Sequence, residues 1–373
     1  MSTYTEQSNL FNVNLSEIPE KKEGNISWSS PSNIALIKYW GKYGNQLPCN
    51  PSLSLTLEKS RTIFNVKWKY NSKNKAKKNI TFNFKGKDSD SFQERIEKVI
   101  TIFSKYLPYL NYCQLEIYSE NTFPHSAGIA SSASSMSSLA LCLLSIGNKL
   151  NDETESHDSL MKRASFLSRL ASGSACRSLF PYASLWGVHQ ESGDGSLEFG
   201  TPFIKMHDIF KTIQDSILVI DSGPKNVSSS LGHSLMSSNP YSEIRFKNAS
   251  RNLNLLTGSM QEGDLFTWGE IIESEALDLH AMMMVSRPSF ILLKPNSLSI
   301  INKVREFRDQ TKLPVFFTLD AGPNIHLLYP MSIKQKVVSF IEKELSMLLE
   351  NNEWIDDQIG QGPYKIESFA CES

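Results

Sequence analysis

Small and hydroxyl-bearing side chains are concentrated between Pro124 and Ser135, where the sequence reads PHSAGIASSASS. Small residues let a backbone approach a ligand closely, and Gly128 can adopt the positive φ that a tight loop needs. The segment leads into a helical pattern, and the free N–H groups at a helix start favour an anion. Serine hydroxyls can bind phosphate oxygens or a magnesium ion. The segment therefore predicts a phosphate site, although a tight turn before a small-residue helix has the same composition.

Three distant segments also carry polar groups where a ligand could lie. Asn33 to Lys42 reads NIALIKYWGK and predicts an apolar strand that ends in cations beside aromatic surface. Ser172 to Ser178 reads SGSACRS and predicts a tight turn that presents hydroxyls and one arginine. Asp320 to Asn324 reads DAGPN and leaves a carboxylate at the carboxyl end of a buried strand, where ligands often bind. Taken singly, these segments also fit snorkelling lysines, a serine-rich helix cap and an Asp-initiated turn.

The elements that must position these groups have the pattern of an α+β protein. Alternating apolar and polar residues predict half-buried strands over 62–68 and 80–84, joined by a hairpin loop over 69–78. Further strands are predicted over 114–119, 216–221 and 315–320. Apolar residues at helical spacing predict helices over 92–107, 132–150, 160–170, 241–257, 264–284, 297–311 and 332–349. This order favours sheets that are covered by helices.

Length, net charge and the lack of two common phosphate-binding motifs narrow the class of protein. A chain of 373 residues exceeds what one hydrophobic core usually supports, so two domains are expected. A formal charge of −1 gives no field that attracts nucleic acid or an anionic membrane, so a few local Lys or Arg residues must hold any anionic substrate. The sequence contains neither GxxxxGK[ST] nor GxGxxG, so P-loop and Rossmann phosphate binding are not indicated.

Cysteine spacing and the distribution of apolar residues bear on where the protein is located. Five cysteines without a CxxC pair favour reduced thiols over disulfides or a zinc site. Met1 to Glu23 contains no apolar signal segment, and the longest apolar run, Leu139 to Ile146, is far too short to span a bilayer. We therefore expect a globular, cytoplasmic protein with no membrane or nucleic-acid partner.

In combination, the four segments resemble one family. With NPSLSLTL at Asn50 to Leu57, they are similar to the GHMP kinase superfamily and, within it, to the mevalonate diphosphate decarboxylases. KYWGK, SGSACRS and DAGPN are specific to the decarboxylases, whereas the serine-rich loop belongs to the wider superfamily. The segments occur in the family's order, so the resemblance covers nearly everything after an N-terminal extension.

The resemblance implies an α+β, two-domain GHMP kinase fold. Its N-terminal half resembles ribosomal S5 domain 2, its C-terminal half is an α/β sandwich, and the active site lies in the cleft between them. We accordingly divide the chain into an extension (1–24), an N-terminal ATP-binding domain (25–213) and a C-terminal domain (214–373). Related enzymes are usually homodimers, so a homodimer is expected here.

The resemblance also implies an activity and a set of residue roles. The family uses Mg-ATP to phosphorylate the C3 hydroxyl of mevalonate 5-diphosphate, then releases phosphate and CO2 to give isopentenyl diphosphate. Asp320 would be the base or positioning carboxylate for the C3 hydroxyl, Lys38 would neutralise charge beside it, and Arg177 would hold the substrate carboxylate in a bidentate pair. Substrate-binding roles are implied for Asn33, Tyr39, Lys42, Ser172, Ser174 and Ser229. ATP-binding roles are implied for Ser126, Gly128, Ala130, Ser131 and Ser132, and Ser132 is also the magnesium candidate.

The sequence departs from the family pattern at three places. Residues 180–182 read Phe-Pro-Tyr where a Gly-Gly pair is usual. His125 and Ser135 replace a Thr and a Gly of the phosphate loop, and Ser230 stands where some members carry a base. These departures leave the detailed shape of the substrate pocket open.

Three other interpretations therefore remain beside the decarboxylase. The first is a kinase or decarboxylase for a related mevalonate, either the 5-phosphate or the free acid. The second is a non-catalytic ligand sensor with the GHMP fold, which is disfavoured because a sensor need not retain a base such as Asp320. The third is an RNA-binding protein, which is disfavoured because the sequence has no basic face.

Overall fold

The computed structural model describes residues 10–11, 15, 18–73, 80–88, 90–123, 129–223 and 229–367, and of residues 87–88, 90–91 and 229–230 it describes the backbone alone. The strands within these ranges are β1 (Lys21–Ala35), β2 (Lys42–Tyr43), β3 (Leu47–Pro48), β4 (Ser52–Asn71), β5 (Ile80–Phe84), β6 (Lys87–Asp88), β7 (Cys113–Asn121), β8 (Ala183–Val188), β9 (Gly195–Pro202), β10 (Ile213–Leu218), β11 (Phe316–Thr318), β12 (Ile325–Pro330), β13 (Trp354–Gln358) and β14 (Tyr364–Ile366). The α-helices are α1 (Asp90–Phe103), α2 (Ser131–Leu150), α3 (His157–Ala171), α4 (Ser229–Leu235), α5 (Ser242–Glu262), α6 (Leu265–Met284), α7 (Pro295–Thr311) and α8 (Lys334–Phe340).

The larger sheet of the described chain has the order β14-β1-β4-β7-β5-β6, with β8 paired to β4 and β9 paired to β8. Apolar residues alternate along the second half of β4, so Phe64, Val66 and Trp68 point to one side of the sheet. They share a hydrophobic cluster with Leu139 and Leu143 of α2. The predicted helix over 132–150 is thus confirmed, and it covers the sheet as its apolar spacing requires.

The first half of β4 belongs to a different part of the core. Leu53 and Leu55 are fully buried in a cluster that also contains Ile217 of β10, Leu253 of α5 and Ile272 of α6. One long strand therefore contributes to two apolar clusters. Its first half fixes the larger sheet against the helices of the second half of the chain.

The smaller sheet has the order β11-β12-β10-β13, and all of its pairings are antiparallel. The predicted α+β class is confirmed by these two sheets and the helices packed on them. After β13 the chain returns to the larger sheet, where β14 pairs with β1. The domain boundary between residues 213 and 214 stays a prediction.

The predicted hairpin between the strands at 62–68 and 80–84 is wrong, although both strands exist. β5 pairs in parallel with β7, and β7 lies between β5 and β4. Parallel neighbours need a crossover connection, and α1 supplies it between β5 and β7. Alternation correctly predicted each strand but did not reveal its neighbour.

Four other predicted elements are shorter than expected: the helix predicted over 92–107 ends at Phe103, and three more differ as follows. β1 ends at Ala35, because the N–H groups of Leu36 and Ile37 both donate to the Leu53 carbonyl and the chain turns away. The strand predicted over 315–320 covers only Phe316–Thr318. The helix predicted over 332–349 is regular only in α8, which continues into a wider π-helical turn at Ile341–Leu345.

A membrane-spanning helix, which must be both long and apolar, is not found among the described residues.

Candidate active site

A cavity of about 450 Å³ lies where β1, α2, α6 and the segment after β11 meet. It is lined by residues from all four predicted segments: Lys38, Tyr39 and Lys42; Ala130 and Ser132; Ser172, Ser174 and Arg177; and Asp320. The structure therefore brings together side chains that are far apart in the sequence. Ser126 and Gly128 of the predicted phosphate loop lie outside the described residues.

Lys38 and Asp320 form an ion pair at the floor of this cavity. Lys38 Nζ lies 3.1 Å from Asp320 Oδ1 and donates also to the Ala35 carbonyl at 2.6 Å. The side chain of Lys38 is 1% exposed and that of Asp320 is 27% exposed, so the carboxylate is the member that solvent can reach. Burial lowers the pKa of Lys38, and Asp320 opposes that shift. The pair combines a buried amine with an accessible carboxylate.

Two helical side chains hold the backbone on either side of this pair. The Lys38 N–H donates to Glu275 Oε2 at 2.9 Å, and His280 Nε2 lies 3.1 Å from the Asp320 carbonyl oxygen, which can only accept. Glu275 is itself fully buried and accepts from Arg245 Nη1 at 3.0 Å and Asn252 Nδ2 at 2.7 Å. α6 therefore positions both members of the ion pair.

Arg177 lies in a 3₁₀ helix, Gly173–Leu179, rather than in the predicted tight turn. Its Nη1 donates to Ser52 Oγ at 2.8 Å and its Nε to Ser54 Oγ at 3.1 Å. Ser52 and Ser54 alternate with leucines in β4, so their hydroxyls face the same side of the sheet. Burial lowers the pKa of Arg177. The hydroxyls orient the guanidinium without neutralising it, so its charge remains available to an anion.

Asn33 is buried and does not line the cavity. Its Nδ2 donates to Ser178 Oγ at 2.8 Å and to the Ser174 carbonyl at 3.2 Å, so it supports the segment that carries Arg177. Its assignment to substrate stays a prediction.

Tyr39 and Lys42 lie at the wall of the cavity, beside His233. The Tyr39 ring packs against Trp186 at 4.7 Å and against His233 at 4.3 Å between centroids. Its hydroxyl is buried and has no hydrogen-bond partner among the described residues. Lys42 Nζ donates to Gln46 Oε1 at 2.9 Å, and burial lowers the Lys42 pKa. A buried hydroxyl without a described partner, and a cation whose one described partner is a neutral amide, both favour an anionic ligand here.

Residues 130–132 form the start of α2 at the opposite wall. Ala130 adopts a left-handed conformation with φ of 31°, which turns the chain into the helix. The Ser132 hydroxyl accepts from Ser172 Oγ at 3.3 Å. An adjoining recess is lined by Ser131, Ser132 and the aromatic side chains of Phe82, Phe84 and Phe92. The start of α2 thus lies between the cavity and an aromatic recess.

The departures from the family pattern that the structure describes, at residues 180–182 and Ser135, do not line the cavity. Residues 180–182 do not line it, and Tyr182 adopts φ of 61°, in the left-handed region that favours glycine. The Tyr182 N–H donates to the Gly360 carbonyl at 2.8 Å, and its own carbonyl accepts from the Thr56 N–H at 2.9 Å. This backbone conformation is held without glycine. His125 and the side chains of Ser229 and Ser230 lie outside the described residues.

A protein-only metal cage is not present: no group of three or more His, Cys, Asp or Glu side chains that could hold an ion occurs within the described ranges. Mg²⁺ in phosphoryl-transfer sites is usually held by one or two protein oxygens together with the phosphates. The Ser132 hydroxyl and the accessible Asp320 carboxylate are oxygens of that kind at the cavity. The residues fit a magnesium ion that arrives with ATP.

Sequence reasoning assigned no role to Arg245, Glu275 or His233. The two charged residues lie on amphipathic helices, where a charge normally indicates a solvated face. His233 lies in α4, a short helix that was not predicted. Ser52 and Ser54 did carry a signal, because their alternation with leucine predicts a shared face.

Protein-family models match most of the chain. Residues 30–197 match the model described as diphosphomevalonate decarboxylase-like N-terminal domain. Residues 216–367 match the mevalonate 5-diphosphate decarboxylase C-terminal domain. The resemblance on the short motifs is thereby confirmed across both halves of the sequence.

Individual relatives agree with these matches. Diphosphomevalonate decarboxylase from Debaryomyces hansenii is 28% identical over 335 residues, 86% of this chain and 83% of the relative. The crystal structure of mevalonate diphosphate decarboxylase from Staphylococcus aureus is 30% identical, with a TM-score of 0.78 over 93% of this chain and 99% of that chain. A structure described as MDDEF in complex with MVAPP, AMPPCP and magnesium is 26% identical, with a TM-score of 0.78 over 93% of this chain and all of that one (100%). These structures confirm the predicted two-domain GHMP kinase fold.

Proposed function

This chain belongs to the diphosphomevalonate decarboxylase family, and we propose that it converts mevalonate 5-diphosphate to isopentenyl diphosphate with ATP and Mg²⁺, in the mevalonate pathway of isoprenoid biosynthesis. The observation that carries the proposal is the Lys38–Asp320 pair, 3.1 Å apart in a cavity that Arg177 also lines. A base, a buried amine and a free guanidinium match the hydroxyl, the developing charge and the carboxylate of a 3-hydroxy acid.

In the first step, the C3 hydroxyl oxygen of the substrate attacks the γ-phosphorus of ATP, and ADP leaves. Asp320 orients that hydroxyl and accepts its proton, while Lys38 offsets the negative charge that remains beside it. The transition state of phosphoryl transfer is loose, so positioning and charge compensation matter more than covalent help. Lys38 and Asp320 meet that requirement, because side chains of α6 bind the backbone of both residues and hold them in place.

In the second step, the C3–O bond breaks and phosphate leaves with the bonding pair. The C1–C2 bond then releases CO2, and its electrons form the C2–C3 double bond of isopentenyl diphosphate. Arg177 binds the carboxylate that becomes CO2, because a guanidinium matches it with two parallel hydrogen bonds. The proton that Asp320 accepted in the first step passes to the departing phosphate, and the carboxylate that remains stabilises the positive charge that develops at C3.

The family resemblance assigns partners to the remaining substrate groups. Tyr39, Lys42 and Ser229 are assigned to the 5-diphosphate, and Ser172 and Ser174 to the mevalonate chain. Residues 126–132 bind the ATP phosphates. Bound magnesium would neutralise the charge of those phosphates, and the Ser132 hydroxyl would be its protein oxygen. Asn33 donates a hydrogen bond to the hydroxyl of Ser178, which follows Arg177 in the chain, and so supports the segment that carries Arg177.

We also propose the divisions and setting implied by the family: domains at 25–213 and 214–373, a homodimer, and a cytoplasmic location. The matched family ranges, 30–197 and 216–367, support a boundary near residue 213. The four described cysteines, Cys49, Cys113, Cys142 and Cys176, are free thiols, which supports a reducing compartment.

A coupled assay tests the activity. The protein is supplied with Mg-ATP and with mevalonate carrying no, one or two phosphates, and ADP and CO2 are followed together. We expect equal amounts of ADP and CO2 with the diphosphate alone. ADP without CO2 would instead indicate a kinase, activity with the 5-phosphate or free acid would reassign the substrate, and no product from any of the three would indicate a ligand sensor.

A further inference from the structure

His233 lines the cavity beside Lys42 and Tyr39. It lies in α4 and is only 9% exposed. Its ring packs against Tyr39 at 4.3 Å and Trp40 at 4.7 Å between centroids. Two aromatic contacts therefore fix the orientation of the imidazole at the cavity wall.

A backbone hydrogen bond determines which nitrogen of this ring carries the proton. The Gly41 N–H donates to Nδ1 of His233 at 3.0 Å. A ring nitrogen that accepts a hydrogen bond carries no proton, so in the neutral ring the proton is on Nε2. Burial lowers the pKa of His233 to about 3, and Lys42 and Arg177 act in the same direction. At neutral pH the ring therefore presents an N–H donor at Nε2.

The one hydrogen bond described for the His233 ring is at Nδ1, which leaves the Nε2–H group at the cavity wall able to donate to a ligand. The Tyr39 hydroxyl is buried without a partner, and the only partner described for the Lys42 amine is a neutral amide. Leaving the buried Tyr39 hydroxyl unpaired is costly, so this hydroxyl, the Lys42 amine and the His233 N–H together favour a ligand rich in acceptor oxygens. A diphosphate group meets that demand, and Lys42 supplies the charge that attracts it.

We propose that His233 is a substrate-binding residue whose Nε2–H donates a hydrogen bond to the diphosphate of mevalonate 5-diphosphate. This inference rests on the proposed function, because it assumes the same ligand in the same cavity. Lys42 and His233 contribute to diphosphate binding in different ways. Lys42 provides charge, and His233 provides a directed neutral donor that the Gly41 backbone holds in place.

Two substitutions separate the donor from the packing. His233→Asn keeps an oxygen that can accept from the Gly41 N–H but has nothing at the position of Nε2, whereas His233→Gln can return an N–H to that position. Binding is measured by calorimetry with mevalonate and with mevalonate 5-diphosphate. We expect His233→Asn to weaken diphosphate binding about 10-fold or more, the usual loss for a hydrogen bond to a charged group, and His233→Gln to recover part of it. Binding of mevalonate without phosphate should be unchanged in both variants.

An NMR measurement keeps the inference testable if the variants fold poorly. In wild-type protein labelled with ¹⁵N-histidine, the His233 signals should show the proton on Nε2, and the Nε2–H signal should move when inorganic pyrophosphate or mevalonate 5-diphosphate is added. A proton on Nδ1, or equal weakening of mevalonate and its diphosphate in His233→Asn, would overturn the proposal. Wild-type protein that binds the diphosphate but releases no CO2 would instead refute the proposed function and leave the role of His233 to the binding series.

Discussion

Lys38 Nζ lies 3.1 Å from Asp320 Oδ1, although 282 positions separate the two residues in the chain. The lysine side chain is 1% exposed, so it has left bulk water almost completely. Burying an ammonium group requires a nearby anion, and Asp320 is the anion that faces it. Asp320 therefore helps to keep the buried Lys38 amine charged, and both residues line the cavity.

Replacing Asp320 with Asn should remove the proposed acceptor of the C3 hydroxyl proton while keeping the shape of the side chain. We expect kcat for CO2 release to fall by about 10²–10⁴-fold, the range for a positioned acid–base group. Binding of ATP, measured by calorimetry, should change little. The matched control is Asp221→Asn, which breaks an exposed pair with Lys294 at 3.2 Å and should leave kcat intact. Full activity in Asp320→Asn would remove the assigned role.

The pH profile should report the buried Lys38 amine. Burial lowers its pKa below the ordinary 10.5, so the cationic form is lost, and kcat should fall, as pH rises through that lowered value. The folded protein also holds this proton less tightly than the unfolded chain, so Lys38 should increase the free energy of unfolding as pH rises from the lowered pKa towards 10.5. The control is Lys38→Arg, whose guanidinium stays charged and should show no alkaline decline in that window. The same alkaline decline in both proteins would assign it to another group.

The proximity of Lys38 and Asp320 could be predicted only through the family resemblance. Local patterns predict elements: helical spacing gave α2, and alternation gave β4 and β7. They do not specify which strands become neighbours, so the hairpin between β4 and β5 was predicted wrongly. Pairing in the larger sheet depends on contacts between residues that are distant in sequence, and these have no local periodicity.

The buried charged residues that hold the Lys38 backbone could not be predicted, for a different reason. Arg245 and Glu275 lie on α5 and α6, where charged side chains ordinarily face water. Both are buried, at 2% and 0% exposure, because each neutralises the other and Glu275 also accepts the Lys38 N–H. The sequence shows the two charges, but it does not show that α5 and α6 bring them together beside the Lys38 backbone.

Glu275→Gln should destabilise the fold and misplace Lys38. The substitution leaves the buried Arg245 guanidinium without a counter-charge, and breaking one side of a buried ion pair costs about 3–5 kcal/mol. We expect a loss of that size in the free energy of unfolding, measured by urea denaturation, together with a lower kcat. The double variant Glu275→Gln, Arg245→Met removes both charges and keeps an acceptor for the Lys38 N–H. It should recover most of the stability, and a double variant no more stable than the single one would contradict this account.

Arg169 should control how firmly the substrate diphosphate is bound, although it does not line the cavity. It is buried at the end of α3, where its Nη1 donates to the Asn45 carbonyl in the turn between β2 and β3. Its Nε and Nη2 are fixed by the backbone and carboxylate of Glu198, at 2.6 Å and 2.7 Å. Arg169 thus connects the β2–β3 turn to the rest of the fold. Lys42 lies in β2, directly before this turn.

Arg169→Met keeps the length of the side chain but loses all three hydrogen bonds. Because a loosened turn no longer holds Lys42 in place, we expect KM for mevalonate 5-diphosphate to rise about 10-fold, the loss of roughly one well-placed charged hydrogen bond, with KM for ATP unchanged. Arg163→Met is the matched control, since Arg163 lies on the same helix and pairs with Glu155 at 3.0 Å, away from the turn. That variant should lose stability without a change in KM. Equal effects of the two substitutions on KM would show that Arg169 acts through general stability of α3 and not through the turn.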